Sequence, residues 1–528
     1  MKSRFNNIVN LLLLLLGLFL VGCNEKTEVE KRPNIIYVLA DDLGYGDIQA
    51  YNPEGKIRTP HLDQLASEGM RFTDAHTSSA VCTPTRYGIL TGRYNWRSPL
   101  KSSVLTGNSN ALIPTTRTTV ASLLQKEGYA TAFIGKWHLG WDWALKDPKV
   151  ISGDGWDAKD FDNIDFSKPV TNSPNDLGFS YSYGHSGSLD MAPYVYVENG
   201  MPTMVPDTIT ESTDKYGWWR KGPTAKDFDF EDVTPNFFRR SFKYIKDKSK
   251  EEQPFFLYLA LPSPHTPILP TEEWAGKSEL NPYGDFMMLI DAYMGQLNAV
   301  LKEAGIEENT LVVFTSDNGC SPAADINEML SKGHSPSGIY RGHKADIFEG
   351  GHRVPFIVKW PAKIKAATIA DQTICTTDFL ATCADIVGVD LKDEEGEDSF
   401  SMLPVLLDNN SPYFEREATV HHSINGSFAI RKGKWKMIFA ADSGGWSAPK
   451  PKSEGLANLP PFQLYDLDND PQEQKNLYGD FPEIESSLTV LMKSYIENGR
   501  STKGERQTNE PEGYGSKQWK QLEVFNEK

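Results

Sequence analysis

Asn34-Ile35-Ile36-Tyr37-Val38-Leu39-Ala40-Asp41-Asp42-Leu43-Gly44 is an apolar run without polar alternation that ends in two adjacent carboxylates. Such a run reads as a strand buried on both faces, the kind found in parallel sheets covered by helices. Four further runs repeat it: Ala130-Thr131-Ala132-Phe133-Ile134, Phe255-Phe256-Leu257-Tyr258-Leu259, Leu311-Val312-Val313-Phe314 and Phe356-Ile357-Val358. Helix-like patterns over 61–68, 118–127, 237–248 and 286–303 alternate with them; the last carries Tyr293, Leu297, Val300 and Leu301 at helical spacing. The alternation predicts an α/β fold, a large mixed, mostly parallel sheet sandwiched by helices over residues 33–388, with these runs as parallel strands.

Outside that region the chain changes character. Lys2 and Arg4 precede an apolar run from Leu11 to Val21, too short to span a membrane but suited to a signal-peptide core. It ends Leu20-Val21-Gly22-Cys23, similar to the bacterial lipobox. The expected organisation is a lipoprotein signal peptide over 1–22, a lipidated Cys23 opening a polar tether over 23–32, and an exported protein anchored to a membrane through its lipid alone. Lipoprotein-processing machinery is the implied partner. After Val389 the acidic stretch Asp393 to Asp398 reads as a surface connection within a linker, 389–411. Over 412–528 a smaller C-terminal α+β subdomain is expected: a hairpin of 428–431 and 434–439 joined through Lys432-Gly433, a turn-rich segment 465–471, a helix over 482–498 and a loosely held polar tail from Ser501.

The 528 residues include 71 acidic and 54 basic side chains, a net charge of −17. That balance excludes the basic footprint of a nucleic-acid binder, and a composition 39 % hydrophobic and 11 % aromatic excludes a disordered or fibrous chain. Surplus carboxylates fit either a solvated surface or a bound hard cation. Five cysteines, Cys23, Cys82, Cys320, Cys375 and Cys383, are not a disulfide framework, although a pairing of Cys375 with Cys383 stays open.

The chemistry lies in the residues just beyond each strand. Asp41-Asp42-Leu43-Gly44 comes after the first, Gly135-Lys136-Trp137-His138 after the second, Ser263-Pro264-His265 after the third and Ser316-Asp317-Asn318-Gly319 after the fourth. Parallel strands deliver their carboxyl ends to one sheet edge, where ligands bind, so four dispersed segments converge. Asp41, Asp42, Asp317 and Asn318 make an all-oxygen set suited to Ca²⁺ or Mg²⁺, with no basic neighbour in sequence to neutralise them. Lys136, His138 and His265, joined by Lys344 in a glycine-rich segment, suit an anionic substrate. A cation and an anion site together indicate a phosphate or sulfate ester.

Ser78-Ser79-Ala80-Val81-Cys82-Thr83-Pro84-Thr85-Arg86 sets a cysteine at a helix start, readable as a thiolate nucleophile beside Arg86 or as a buried structural thiol. Here the sequence resembles the type I, formylglycine-dependent sulfatases of the alkaline phosphatase superfamily. Cys82, Pro84 and Arg86 meet their Cys-x-Pro-x-Arg signature, Thr91-Gly92-Arg93 its continuation, and the strand-end motifs run in order to Lys344 and Glu349-Gly350-Gly351. The resemblance implies an alkaline phosphatase-like fold and a Cys82 oxidised by a formylglycine-generating enzyme to 3-oxoalanine, working as its hydrated gem-diol. It implies one Ca²⁺ on Asp41, Asp42, Asp317 and Asn318, with residue 82 contributing. One diol hydroxyl would attack sulfur while Lys136 and Lys344 neutralise sulfate oxygens and His265 protonates the leaving alcohol. His138 would take the remaining hydroxyl proton so that sulfate leaves by C–O cleavage, with Arg86 orienting residue 82.

Ser188 aligns with a sulfate-contacting serine of the family, with Ser186 as competitor. His185, Arg353 and Trp446 are further substrate-binding candidates, among others that include Asp190, Tyr194, Trp218, Trp219, His343 and His352. A lipid-anchored bacterial sulfatase is expected to act on sulfated carbohydrate, either a marine polysaccharide such as ulvan or carrageenan or a glycosaminoglycan. The alternatives are a phosphate or phosphonate ester hydrolase of the same superfamily and a non-catalytic glycan-binding surface lipoprotein.

Overall fold

The run that opens at Asn34 forms strand β1 (Asn34–Ala40) in the middle of a ten-stranded sheet. The computed structural model describes residues 31–528 apart from 151–152, 409, 412–415, 511–519 and 526–528. The expected signal segment and Cys23 lie outside the described residues. Five strands of the sheet run parallel: β1, β3 (Ala130–Lys136), β4 (Tyr181–His185), β7 (Phe255–Ala260) and β8 (Thr310–Ser316), in the spatial order β8-β1-β7-β3-β4. All of β3, β7 and β8, and all of β1 beyond Asn34, is buried, as strands covered on both faces must be.

At one side β9 (Phe356–Lys359) lies beside β8, followed by β2 (Met70–Phe72) and β10 (Thr368–Ala370); at the other β4 continues into the short β5 (Val197–Glu198) and β6 (Met201–Pro202). The expectation for 356–358 fails in direction, because β9 is antiparallel to β8. Between β8 and β9 the chain stays at the carboxyl edge and makes no crossover, so it enters β9 from that edge and must run back. The sheet is therefore mixed, with the parallel part at its centre.

Two groups of helices cover the sheet. Pro60–Glu68, Val233–Lys248 and Pro282–Glu303 pack on one another, and Cys82–Thr91, Val120–Lys126 and Phe379–Val387 form the second group. The long helices begin earlier than the apolar periodicity suggests. Pro282 occupies the first turn after an Asn281 cap whose side chain accepts the Gly284 N–H at 3.1 Å.

Residues from Pro33 onward form one compact unit. Within it a four-stranded antiparallel sheet joins β11 (Thr419–His422), β12 (Phe428–Lys432), β13 (Trp435–Ile438) and β14 (Gln463–Asp466) in sequence order, with the helix Pro482–Glu497 against it. The expected turn at 465–471 gives up Tyr465 and Asp466 to a strand, and β11 carried no recognisable pattern. Cys82, Cys320, Cys375 and Cys383 are free and buried, so 375 and 383 do not pair. Among the described residues no helix is long and apolar enough to cross a membrane.

The linker and the tail differ most from expectation. Glu397 and Asp398 are buried rather than superficial, and Val405 and Leu406 enter the core on a short helix. Arg97 donates to Asp398 through Nε at 2.7 Å and Nη2 at 2.8 Å, while Arg93 and Arg117 converge on Glu397. Gly92, at φ +63 behind the Cys82 helix, lies where a Cβ would come within 2.9 Å of Ser399, so only glycine permits this approach. The tail is tied down too: Arg93 pairs with Glu510, and Lys101 donates to the Glu510 carbonyl at 2.7 Å. Acidic residues read as solvated by composition are thus partners of arginines that sequence distance concealed.

Burial alone would raise the Asp398 pKa, but the Arg97 charge and hydrogen bonds from Arg97, Tyr94 and Ser501 hold it below its usual value. Its contribution is full above the ordinary carboxylate range and is lost as pH falls through the depressed value. Asp398→Ala, which strands the Arg97 guanidinium, is expected to cost about 3–5 kcal/mol in denaturant unfolding. A cost within about 0.5 kcal/mol, the range of ordinary surface positions, would show the pair to be dispensable.

Candidate active site

The carboxyl ends of the parallel strands bring the expected residues together. Asp41 and Asp42 follow β1, Lys136 ends β3 with His138 just beyond, Ser188 follows β4, His265 follows β7, and Asp317 and Asn318 follow β8. Cys82 is the first residue of its helix and is buried among them. Ligand atoms of Asp41, Cys82 and Asp317 lie within 4.8 Å of one another, as do those of Asp41, Asp42 and His265. Asp42 and His138 hold left-handed backbones, φ +67 and +54, a strain typical of working sites.

Each carboxylate faces a cation, which the local sequence did not reveal. Lys136 pairs with Asp41, and Lys344 reaches both oxygens of Asp42, at 2.7 and 2.8 Å. Arg86 gives Nε and Nη2 to one Asp317 oxygen at 3.1 and 2.8 Å, and its Nη1 to the Lys136 carbonyl at 2.9 Å. Three carboxylates and three cations cancel. Asp41 is pulled far below its ordinary value, burial being outweighed by Lys136, His265 and Arg86. Burial and the neighbouring Asp41 push Asp317 upward, against the lowering by Arg86 and Lys136.

Two oxygens beside these pairs keep open lone pairs. Asp41 Oδ1 and Asn318 Oδ1 are buried without a hydrogen-bond partner, while Asn318 Nδ2 is committed to Asp42 at 2.7 Å and to the Gly319 carbonyl at 2.9 Å. Asn318 is therefore held with its carbonyl oxygen free. A dry all-oxygen set with orphaned acceptors and no ordered protein donor is what a hard divalent cation fits.

Burial pushes the Cys82 thiol up to about 11, more than Lys136 and Lys344 lower it. An unmodified Cys82 is thus a poor thiolate nucleophile. His138 Nε2 donates to the Leu105 carbonyl at 2.8 Å, which leaves Nδ1 buried as an unpartnered lone pair. Burial, Lys136 and Arg86 keep that ring neutral. His265 likewise sits low through burial and Lys344; its Nδ1 faces the Thr266 carbonyl and its Nε2 the Ser188 hydroxyl at 3.2 Å.

Of the competing serines, Ser188 is the one at the site: its Oγ also accepts from Lys136 Nζ at 3.0 Å, whereas the Ser186 hydroxyl is buried without a partner. His185 is buried against the Phe237 ring with burial holding it down to about 3, a packing position. Tyr194 and Trp219 pack on Phe230. Trp446 is 40 % exposed, and its N–H donates to Asp346 Oδ1 at 2.7 Å, two residues from Lys344. His343 is half-buried beside that lysine. Arg353 and His352 are not brought to the site. Arg353 pairs with Asp74 and Glu349, and His352 stacks on His421 at 4.0 Å, in a buried cluster beneath the C-terminal sheet.

A supporting layer behind Asp42 leaves little trace in the local sequence. The Tyr283 hydroxyl, 3.1 Å from the Asp42 carbonyl, donates to Asp47, which accepts the Gly44 N–H at 2.7 Å and faces His334 Nε2 at 2.9 Å. Asp47 stands three residues beyond Gly44, a turn-forming spacing that could have marked it; Tyr283 and His334, 236 and 287 positions from Asp47, gave no local sign.

The family model described as Sulfatase matches residues 33–389, and one described as N-sulphoglucosamine sulphohydrolase, C-terminal, matches 342–449. An N-acetylgalactosamine-6-O-sulfatase of Bacteroides thetaiotaomicron is 35 % identical, over 92 % of this chain and 99 % of its own. Human arylsulfatase A is 31 % identical over 88 % of this chain and 87 % of its own. A solved structure concerned with metabolism of multiple glycosaminoglycans by Bacteroides thetaiotaomicron superposes with a TM-score of 0.75 at 32 % identity, covering 88 % of this chain and 99 % of that one.

Ser188 bridges a cation and a histidine, so Ser188→Ala is expected to lower sulfate-ester turnover on the order of 10- to 100-fold, the loss of a hydrogen bond to a charged group. Ser186→Ala is expected to stay within about twofold, and steady-state kinetics on an aryl sulfate compares the two; equal losses would put Ser186 in the same role. The chain belongs to the sulfatase family and is a sulfuric ester hydrolase.

Proposed function

We propose that the protein removes sulfate from a sulfated carbohydrate of the glycosaminoglycan type, with a 6-O-sulfated N-acetylgalactosamine as the leading candidate, through a formylglycine made from Cys82 and one Ca²⁺. The carrying observation is Cys82 itself: a buried thiol at a helix start, held too basic to act as a thiolate, within reach of carboxylates that leave Asp41 Oδ1 and Asn318 Oδ1 open. The carbohydrate class is supported by relatives above 30 % identity along most of the chain, one named for N-acetylgalactosamine 6-O-sulfate and one from glycosaminoglycan metabolism. They favour this class over ulvan or carrageenan.

Asp41, Asp42, Asp317 and Asn318 would hold the cation, with residue 82 beside them. Calcium there supplies positive charge that polarises a sulfate oxygen, and the hydrated aldehyde supplies a diol nucleophile. The chain's own residues divide the remaining work. Lys136, Lys344 and Ser188 hold the sulfate oxygens, cancelling the charge that grows on them. Arg86 anchors the helix start to β3 and β8 and fixes residue 82. His138 Nδ1, neutral and unpartnered, takes a proton, and His265, opening on the Ser188 side, serves the leaving alcohol.

The same proposal includes the lipid anchor on Cys23, export across the inner membrane, and two helpers, lipoprotein-processing machinery and a formylglycine-generating enzyme. The signal-like run ahead of Gly22-Cys23 supports it.

The matured protein is expected to release sulfate from N-acetylgalactosamine 6-sulfate and to prefer aryl sulfate to aryl phosphate; a preference for phosphate overturns the reading. The tryptic peptide containing residue 82 should carry the mass of an aldehyde in place of the thiol, and Cys82→Ala should abolish turnover while leaving the unfolding midpoint near wild type. Chelation should lower both activity and the unfolding midpoint, with Ca²⁺ restoring both, since a ligand bound only by the folded state stabilises it.

A further inference from the structure

Arg220 stands between two exposed tryptophans and pairs with Asp190, two residues beyond Ser188. Its guanidinium carbon lies 4.9 Å from the Trp156 ring centroid and 4.7 Å from that of Trp218. Among the described tryptophans three are exposed, and two of them flank this one arginine. The arginine is seated from below by Asp190, whose carboxylate takes Nη1 and whose carbonyl accepts the Arg220 N–H at 3.1 Å. The Asp190 side chain is 6 % exposed and that of Arg220 27 %, so the pair presents its cation to solvent and hides its anion. Nε and Nη2 of Arg220 have no hydrogen-bond partner among the described residues. The guanidinium therefore keeps free donors between two aromatic faces.

Both tryptophans are built in rather than loosely exposed. The Trp156 turn is fixed by Asp160 Oδ2, which accepts the N–H groups of Gly155, Trp156 and Asp157, each at 3.1 Å. The Trp218 carbonyl accepts from Thr266 Oγ1 at 3.4 Å, one residue beyond His265, and Asp190 is two residues beyond Ser188. Chain connectivity thus joins this rim to Ser188, which accepts from Lys136, and to His265, which meets the Ser188 hydroxyl.

We propose that Trp156, Trp218 and Arg220 form an outer subsite for an anionic group, a carboxylate or a second sulfate, on the sugar adjoining the one that bears the scissile ester. This rests on the carbohydrate sulfatase reading above. A planar fork of N–H donors matches a carboxylate or sulfate edge, and aromatic faces take the apolar faces of sugar rings. In a chain of net charge −17 a polyanionic glycan is repelled at long range, and a half-buried guanidinium with free donors supplies the local attraction that binding then needs.

The test uses the full matured enzyme on four substrates: N-acetylgalactosamine 6-sulfate alone, the same sugar in a disaccharide with a hexuronate, that disaccharide with its carboxyl reduced to an alcohol, and a neutral disaccharide carrying a second sulfate. Arg220→Ala is expected to lower kcat/KM on the uronate or the disulfated disaccharide by on the order of 10- to 100-fold, and on the monosaccharide by less than about twofold. Whichever of those two suffers names the anion, and the carboxyl-reduced substrate should be insensitive. Trp218→Phe, which keeps a ring, should retain most of the preference that Trp218→Ala loses.

Equal losses on monosaccharide and disaccharide, or no loss on either anionic disaccharide, overturn the subsite and leave the reaction standing. Calorimetry with an unsulfated hexuronate–N-acetylgalactosamine tetrasaccharide reads the rim without catalysis. Binding that Arg220→Ala abolishes supports the subsite even if no sulfate is released from any substrate, a result that would overturn the proposed reaction alone.

Discussion

Three carboxylates and three cations share the dry carboxyl end of the sheet, and neither set could be buried there without the other. A lone buried charge costs several kcal/mol even after relaxation, so Asp41, Asp42 and Asp317 need Lys136, Lys344 and Arg86 close by. The parallel sheet makes this possible in geometric terms: β1, β3 and β8 end at one edge with Asp41, Asp42, Lys136 and Asp317, and Arg86 and Lys344 reach that edge from a helix and a loop. Arg86 is the member that ties most together. It comes from the Cys82 helix, neutralises Asp317 after β8, and donates to the carbonyl of Lys136 at the end of β3. The position of residue 82 and the charge balance of the cluster are consequently one constraint.

That balance resolves an apparent conflict between a strongly acidic protein and an anionic substrate. The cluster is neutral by itself, and a divalent cation on its two open oxygens, as proposed, would give the site the positive charge that a sulfate ester needs. The remaining acidity is not all solvated surface. Glu397 and Asp398 are consumed by Arg93, Arg97 and Arg117, and Glu349 by Lys436, so net charge describes the long-range field and says little about any one carboxylate.

Legibility in the sequence tracks the range of each interaction. Strands buried on both faces leave a continuous apolar run, and a strand end leaves a polar break after it, so β1, β3, β7 and β8 and the residues behind them were legible one segment at a time. Cys82, Pro84 and Arg86 were legible because they share two helical turns. Direction was not: 356–358 has the composition of a central strand, and only the route of the chain between β8 and β9 makes it antiparallel. Pairing was not legible either. Nothing near Asp41 announces Lys136, and nothing near Asp398 announces Arg97, 301 positions away. Ser188 and Ser186 differ by two residues along one loop, and only the direction of the loop decides which hydroxyl meets Lys136. Arg353 and His352 are substrate-binding candidates by residue type, but the short helix Glu349–His352 carries them behind the site.

Their actual location shows why the smaller sheet belongs to the active site. The segment bearing Lys344 is held from both sides: the Ala345 N–H donates to the Ala80 carbonyl at 2.8 Å, two residues before Cys82, and the Ala345 carbonyl accepts from Ile424 at 3.0 Å, beyond β11. Ile347 donates to Ser443 at 2.8 Å, and Asp346 Oδ1 accepts the Trp446 and Ser447 N–H groups. Below, Glu349 is locked to Lys436 of β13 at 3.0 Å and to Arg353, which reaches Asp74 next to β2. Lys344 can meet Asp42 only if this segment is pinned, and most of the pins come from residues after 420. The antiparallel sheet is therefore a wall of the site, and loosening it would release Lys344 from Asp42 before it disturbed the parallel core.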